Sequence, residues 1–173
     1  MGDIFVAYNT DSIMRYLFAN TFPTGLKKLR KYVNSQLNYT QDEIITAIKP
    51  WGSIAVPKSV CDIRKATFEI LKEYYSSREP KYNLYFDILN TVDSSDLTNH
   101  FNKNAKEISL SKAVIFVVDY TEISFWQLQE AYFASYYNKK VLCLKTEDFL
   151  KLVSSGKITK AIDKLLRKNV NSM

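Results

Sequence analysis

A glutamate one helical turn after a tryptophan is the feature of this sequence best suited to chemistry. Trp126 and Glu130 lie four residues apart, and positions i and i+4 share one face of a helix. Ser124 and Gln127, on either side of Trp126, form a Ser-x-x-Gln capping box, which predicts a helix start. An aromatic ring beside a partly buried carboxylate raises the pKa of that carboxylate by desolvation. Such a glutamate can stabilise an oxocarbenium-like centre, act as a nucleophile or transfer a proton.

The strand before this helix supplies a second carboxylate. The run Ala113 to Val118 (AVIFVV) lacks polar alternation, as expected for a central parallel strand covered on both faces, and Asp119 follows it. Ligands of open α/β sheets bind beyond the carboxyl ends of the strands. We therefore expect Asp119 and Glu130 to approach one pocket. The same pattern is compatible with Glu130 as a solvated helix residue and Trp126 as a core residue.

Strands and helices alternate along the chain. Patterns of apolar residues predict strands at residues 4–7, 82–89, 113–118 and 141–144, and helices at residues 12–36 (broken at 22–25), 40–48, 60–76, 124–137, 146–152 and 158–166. The polar segment 90–104 predicts a surface loop. The alternation predicts one α/β domain over residues 1–173, with a mainly parallel central sheet flanked by helices. The pattern leaves open whether residues 53–56 form a strand or an extended loop.

Composition argues against several classes of function. The 173 residues contain only 4 Gly, and neither GxGxxG nor GxxxxGK[ST] occurs, which argues against a dinucleotide Rossmann fold and a P-loop. A single histidine, His100, and two separated cysteines argue against a zinc site and a histidine-based triad, so we expect no metal. We expect His100 to be exposed in its polar loop and Cys143 to be buried in a strand.

The net charge of +6 favours anionic partners only weakly, because most basic residues are dispersed. We expect solvated helix faces and no nucleic-acid partner. No apolar run reaches transmembrane length and no signal peptide precedes the first strand, so we expect no membrane partner and a cytoplasmic location.

Three segments resemble characteristic blocks of TIR domains. Asp3 to Asp11 (DIFVAYNTD) resembles their first strand and turn, roughly D-V-F-I-S-Y-x-x-x-D. Ser111 to Asp119 (SKAVIFVVD) resembles their later S-x-x-x-I-x-V-L-S strand. Ser124 to Glu130 (SFWQLQE) resembles their S-x-W-C-x-x-E motif, with Gln127 in the Cys position. The resemblance implies a flavodoxin-like, TIR-like domain.

In catalytic TIR domains, the Glu of this motif is essential for cleaving the nicotinamide–ribose bond of NAD. The resemblance implies that role for Glu130, and the position of Asp119 at the end of the preceding strand makes it the second catalytic candidate. The resemblance further implies a set of substrate-binding residues: Tyr8, Asn9, Asp11, Ser124 and Trp126. NAD would be a substrate rather than a cofactor, and no metal is needed because nicotinamide leaves as a neutral molecule.

The resemblance also suggests a biological setting. Some bacterial TIR proteins make cyclised ADP-ribose signals in antiphage defence, so a product of this class is expected. Many TIR domains only self-associate, so self-association is expected and a non-catalytic interaction module is an alternative.

A second family resembles the same region. Glu130 to Ala134 (EAYFA), followed by Lys139 to Val141 (KKV), resembles the E-L-G-Y-A…G-K-P-V block of nucleoside 2-deoxyribosyltransferases and nucleotide N-hydrolases. There the Glu attacks the anomeric carbon and is oriented by an Asp and a Tyr near the first strand, for which Asp119 and Tyr8 are the candidates. Both families imply scission of an N-glycosidic bond at a ribose, and the substrate stays open between NAD and a deoxynucleoside.

Overall fold

The computed structural model describes residues 3–19, 24–49, 56–78, 81–87, 94–119 and 123–168. Most of the segment 53–56 lies outside these residues. The strands are Ile4–Ala7 (β1), Leu84–Phe86 (β2), Ala113–Val118 (β3) and Lys140–Lys145 (β4). The helices are Thr10–Phe18 (α1), Lys27–Gln36 (α2), Gln41–Ile48 (α3), Lys58–Ser76 (α4), Ser94–Leu110 (α5), Phe125–Tyr136 (α6), Thr146–Ser155 (α7) and Ile158–Arg167 (α8), and a 3₁₀ turn spans Thr24–Leu26.

The strands form one parallel sheet in the order β2-β1-β3-β4. This order matches a flavodoxin-like doubly wound sheet up to its fourth strand, and its topological switch point lies between β1 and β3. The predicted α/β class, with a parallel sheet flanked by helices, is confirmed. Within the described residues, no helix combines the length and apolar character needed to cross a membrane.

Successive side chains of the central strands point to opposite faces of the sheet, and they pack into two cores, one on each face. On the first face, Val6 and Ile115 belong to a large cluster with residues of α1, α2, α3, α4, α7 and α8. On the second face, Phe5 and Phe116 belong to a smaller cluster with residues of α5 and α6. The strand that a residue occupies and its parity along that strand therefore decide which helices it meets.

The polar segment 90–104 is not a loop where it is described, because Ser94–Leu110 form α5. Phe101, Ala105 and Ile108 follow helical spacing and pack into the second core. The rest of the helix surface is polar, which hid this narrow apolar stripe in the sequence. The predicted loop was therefore wrong over residues 94–104.

Burial along β4 also differs from expectation. Side chains alternate between half-buried and exposed, and Val141 and Cys143 are exposed. As the edge strand next to β3, β4 is contacted by α7 and α8, and Leu142 and Leu144 pack against the first core. The strand was correctly predicted, but the expected burial of Cys143 was wrong.

Candidate active site

A cleft of about 200 Å³ opens where β1 and β2 end, with α4 and the start of α6 contributing to its walls. It lies beside the switch point of the sheet, where open α/β folds bind ligands. The volume is below that of sites for drug-sized ligands, roughly 300–1,000 Å³. The cleft therefore has room for a group the size of a sugar but not for a whole dinucleotide.

The structure brings most of the sequence-predicted site residues together. The cleft is lined by Tyr8, Asn9, Asp11, Ser124, Trp126 and Glu130. Two of them also begin helices: Asn9 accepts a hydrogen bond from the backbone of Asp11 at α1, and Ser124 accepts one from the backbone of Gln127 at α6.

Asp119 is the exception. Its carboxylate lies 3.8 Å from Arg15 of α1, and it is not among the described residues that line the cleft. Asp119 has the strand parity of Ile115 and Val117, which face the first core, and it pairs with Arg15 of α1 in that layer, whereas Glu130 lies on α6, which packs on the second core. The expectation that Asp119 and Glu130 share a pocket was therefore wrong.

Gln127 fixes the start of α6 to the sheet. Its buried amide nitrogen donates to the carbonyl oxygens of Val117 (2.7 Å) and Ala7 (3.3 Å), and its amide oxygen accepts from the backbone N–H of Ser124 (3.1 Å). One side chain thus ties the carboxyl ends of β1 and β3 to the helix that carries Glu130. The capping box expected from the sequence is present.

We expect Gln127→Leu to lower the free energy of unfolding by about 1–3 kcal/mol, because it leaves buried carbonyl groups without their donor. Urea unfolding followed by circular dichroism measures this. Gln36→Leu, at an exposed position in the last turn of α2, is the control and should change stability little. Equal stability of the two variants would contradict the anchoring role.

Glu130 is buried in the cleft beside Trp126, with 6% of its surface exposed. The alternative of a solvated helix residue is thereby excluded. Desolvation raises the pKa of Glu130 well above its ordinary value, and the negative charge of Asp87 raises it further. A carboxylate in this setting is poorly solvated. Its electrostatic interaction with a positive charge that develops next to it is therefore especially favourable.

Asp87 is a further carboxylate of the cleft, beside Glu130 and Asp11, and the sequence reasoning missed it. It follows β2 directly, and its carboxylate contacts His100 Nε2 and accepts a hydrogen bond from Asn104 Nδ2 (2.9 Å). The predicted strand 82–89 had placed Asp87 inside the strand rather than at its end. A carboxylate after the run Leu84–Phe86 was the available signal.

His100 is not exposed as expected. Only 14% of its side chain is accessible, and its ring meets Trp126 edge to face at 5.1 Å between centroids. The reason is that His100 lies on α5, which packs beside α6, rather than in a loop. Asp87, His100 and Trp126 therefore form a connected row along one side of the cleft.

Tyr8 also lines the cleft, at its floor. Its ring packs against Phe68 at 4.7 Å and Phe86 at 5.8 Å, and its hydroxyl donates to the backbone carbonyl of Asp87. Burial, with the charges of Asp87 and Glu130, raises the pKa of Tyr8 well above its ordinary value. Tyr8 is therefore a neutral hydroxyl at any ordinary pH.

A wall of the cleft comes from α4, which the sequence reasoning did not connect with the site. Cys61, Arg64, Lys65 and Phe68 follow i, i+3, i+4, i+7 spacing and all line the cleft. Arg64 binds Asp11 at 2.6 Å and donates to the carbonyl oxygens of Ala47 (3.1 Å) and Lys49 (3.2 Å). Helical spacing showed that these residues share a face, but only the packing shows what that face meets.

The site is thus a small cleft with three carboxylates, one of them paired with Arg64, together with a neutral tyrosine, an indole and a cationic wall. Among the described residues, no His, Cys, Asp and Glu side chains are grouped as a metal site would require. The arrangement can bind a polar ring and stabilise positive charge on it. No protein-family model, curated protein or solved structure matches this chain.

Proposed function

We propose that this protein cleaves the N-glycosidic bond at the ribose of a nucleotide, with NAD as the first-choice substrate. The observation that carries the proposal is the burial of Glu130 in a sugar-sized cleft beside Trp126. The TIR-like blocks of the sequence support it, because they fall on β1, β3 and the start of α6, the elements around the switch point. A cyclised ADP-ribose product, a role in antiphage defence and self-association belong to the same proposal.

The chemistry follows from charge. The bond between ribose C1′ and the pyridinium nitrogen breaks with both electrons going to nicotinamide, which leaves neutral, and the positive charge moves to the sugar. The Glu130 carboxylate then stabilises or attacks this oxocarbenium-like centre. Water adds to C1′ and releases a proton in hydrolysis, whereas a nucleophile of the same substrate adds in cyclisation.

The other cleft residues have supporting roles in this proposal. Trp126 packs on the ribose or the base. Tyr8 donates to the backbone at Asp87, so the two residues hold each other at the floor of the cleft. The charge of Asp87 adds to the negative potential that a cationic transition state requires.

The pairing of Asp87 with Tyr8 also favours a second candidate, nucleoside 2-deoxyribosyl transfer. In that family an Asp and a Tyr near the first strand orient the catalytic Glu. Here, Asp87 rather than Asp119 lies with Tyr8 and Glu130 in the cleft. The bond that breaks is the same type, and the sugar differs by its 2′-hydroxyl.

The test is to incubate the purified protein with NAD, and separately with deoxynucleosides and an acceptor base, and to separate the products by chromatography. Free nicotinamide, lost in Glu130→Gln and retained in Glu69→Gln on the exposed side of α4, supports the NAD reaction. Base exchange without NAD cleavage identifies the transferase. Inactivity on every substrate, at concentrations where the protein self-associates, favours the interaction module and contradicts catalysis.

A further inference from the structure

The charged side chains of the cleft are unevenly compensated. Arg64 neutralises Asp11, and Asp87 contacts His100 and Asn104. The described lining of the cleft contains two basic residues, Arg64 and Lys65. Arg64 has an ion pair and hydrogen bonds, whereas Lys65 has neither within the described residues. The cleft therefore presents a positive charge that its own described residues do not use.

Arg64 cannot take the same role without breaking existing contacts. Its guanidinium holds Asp11 and two backbone carbonyls at the end of α3, so its donors are committed to joining α3 and α4. Arg64 is a structural clamp. Lys65, the next residue, is half-buried and carries its ammonium on a flexible stem.

The position of Lys65 on α4 relates it to the floor of the cleft. Phe68, three residues further along the same face, contacts Tyr8 at the floor. Three residues of helix correspond to about 4.5 Å along the axis. A ligand whose sugar reaches Glu130 can thus extend along α4 toward Lys65. The cleft is too small for a whole dinucleotide, so the substituents of the sugar extend beyond it, and the α4 wall offers them one path.

We infer that Lys65 binds a phosphate of the substrate, so that the site takes nucleotides in preference to nucleosides. The inference rests on the proposed function for the placement of the sugar. An ammonium is a strong phosphate ligand as a point charge. The competing outcome is a lysine whose stem covers apolar surface while its head stays in water.

The experiment compares ligands that differ only in phosphate. Calorimetry measures binding of ADP and of adenosine to the wild-type chain, to Lys65→Gln and to the control Lys72→Gln, an exposed lysine two turns further along α4. We expect ADP to bind about 10- to 100-fold more tightly than adenosine, as a charge-assisted hydrogen bond provides. We expect this preference to be lost in Lys65→Gln and kept in Lys72→Gln.

Equal binding of the two ligands to the wild type, no binding of ADP, or a preference that survives Lys65→Gln would each overturn the inference. A preference that depends on Lys65, in a protein that leaves NAD intact, would support phosphate binding and count against the proposed reaction alone. Where NAD is cleaved, Lys65→Gln should raise its KM about 10-fold or more and leave the KM for nicotinamide riboside, which has no phosphate, unchanged.

Discussion

Glu130→Gln is expected to lower the rate of nicotinamide release from NAD by about 1,000-fold or more. The amide keeps the size of the side chain and removes the negative charge that the cationic sugar needs, and loss of one preorganised electrostatic group costs about 100- to 1,000-fold. Loss of a nucleophile in addition would increase the effect. The measurement is the initial rate by chromatography at saturating NAD.

The same variant is expected to be more stable than the wild type at neutral pH. Below the ordinary pKa of a glutamate, the carboxyl group is protonated in both the folded and the unfolded chain. As the pH rises above that value, the unfolded chain releases the proton while buried Glu130, whose pKa is raised, retains it. The free energy of unfolding therefore falls with pH until the folded-state pKa is passed. Each pKa unit corresponds to about 1.4 kcal/mol.

Glutamine does not ionise, so the variant does not lose stability in this way as the pH rises. Urea unfolding should show Glu130→Gln gaining stability over the wild type at pH 7, with the gain disappearing near about pH 4. Glu69→Gln, at an exposed position of α4, is the matched control and should change stability little. A variant that is less stable than the wild type at every pH would mean that the carboxylate has native partners, and its activity loss would no longer report on chemistry.

Asp87→Asn is expected to act on both the rate and its pH dependence. At the pH optimum the rate should fall about 100-fold, because the transition state loses one of two nearby negative charges. The negative charge of Asp87 also helps to raise the pKa of Glu130. Its removal lowers that pKa, so the acid limb of the pH–rate profile should move to lower pH.

These two effects separate an electrostatic role from simple damage, since a loosened cleft would lower the rate without moving the acid limb in that direction. Asn can still accept the hydrogen bond from Asn104, which preserves part of the packing. Asp62→Asn, on the exposed side of α4 and paired with Lys58 at 3.5 Å, is the control. If the acid limb of the pH–rate profile stays in place in Asp87→Asn, the charge of Asp87 does not affect the pKa of Glu130.

The sequence was sufficient to predict the parallel sheet and the placement of Glu130. Unbroken apolar runs identify β1 and β3, and the Ser124–Gln127 capping box sets the start of α6, so the i, i+4 relation of Trp126 and Glu130 follows directly. These are local signals, and local signals survive folding when the packing agrees with them.

The partner of Glu130 could not be predicted in the same way. Asp87 and Asp119 both follow strands, and one residue of register decides which face of the sheet a side chain meets. The predicted strand continued past Asp87, whereas β2 ends at Phe86. The sequence therefore did not show that Asp87 stands at a strand end. The positions of His100 and of the α4 wall at the cleft depend on how the helices pack against one another. The spacing of residues within one segment does not show this.

The capping of α1 and α6 by Asn9 and Ser124 has a consequence for how a ligand can be recognised at this edge of the sheet. Each of these caps occupies one of the main-chain N–H groups that a helix N-terminus can otherwise offer to an anion. Discrimination among ligands then falls to a few interchangeable side chains on helical surfaces. Such a site can be retargeted by single substitutions while the scaffold beneath it stays the same.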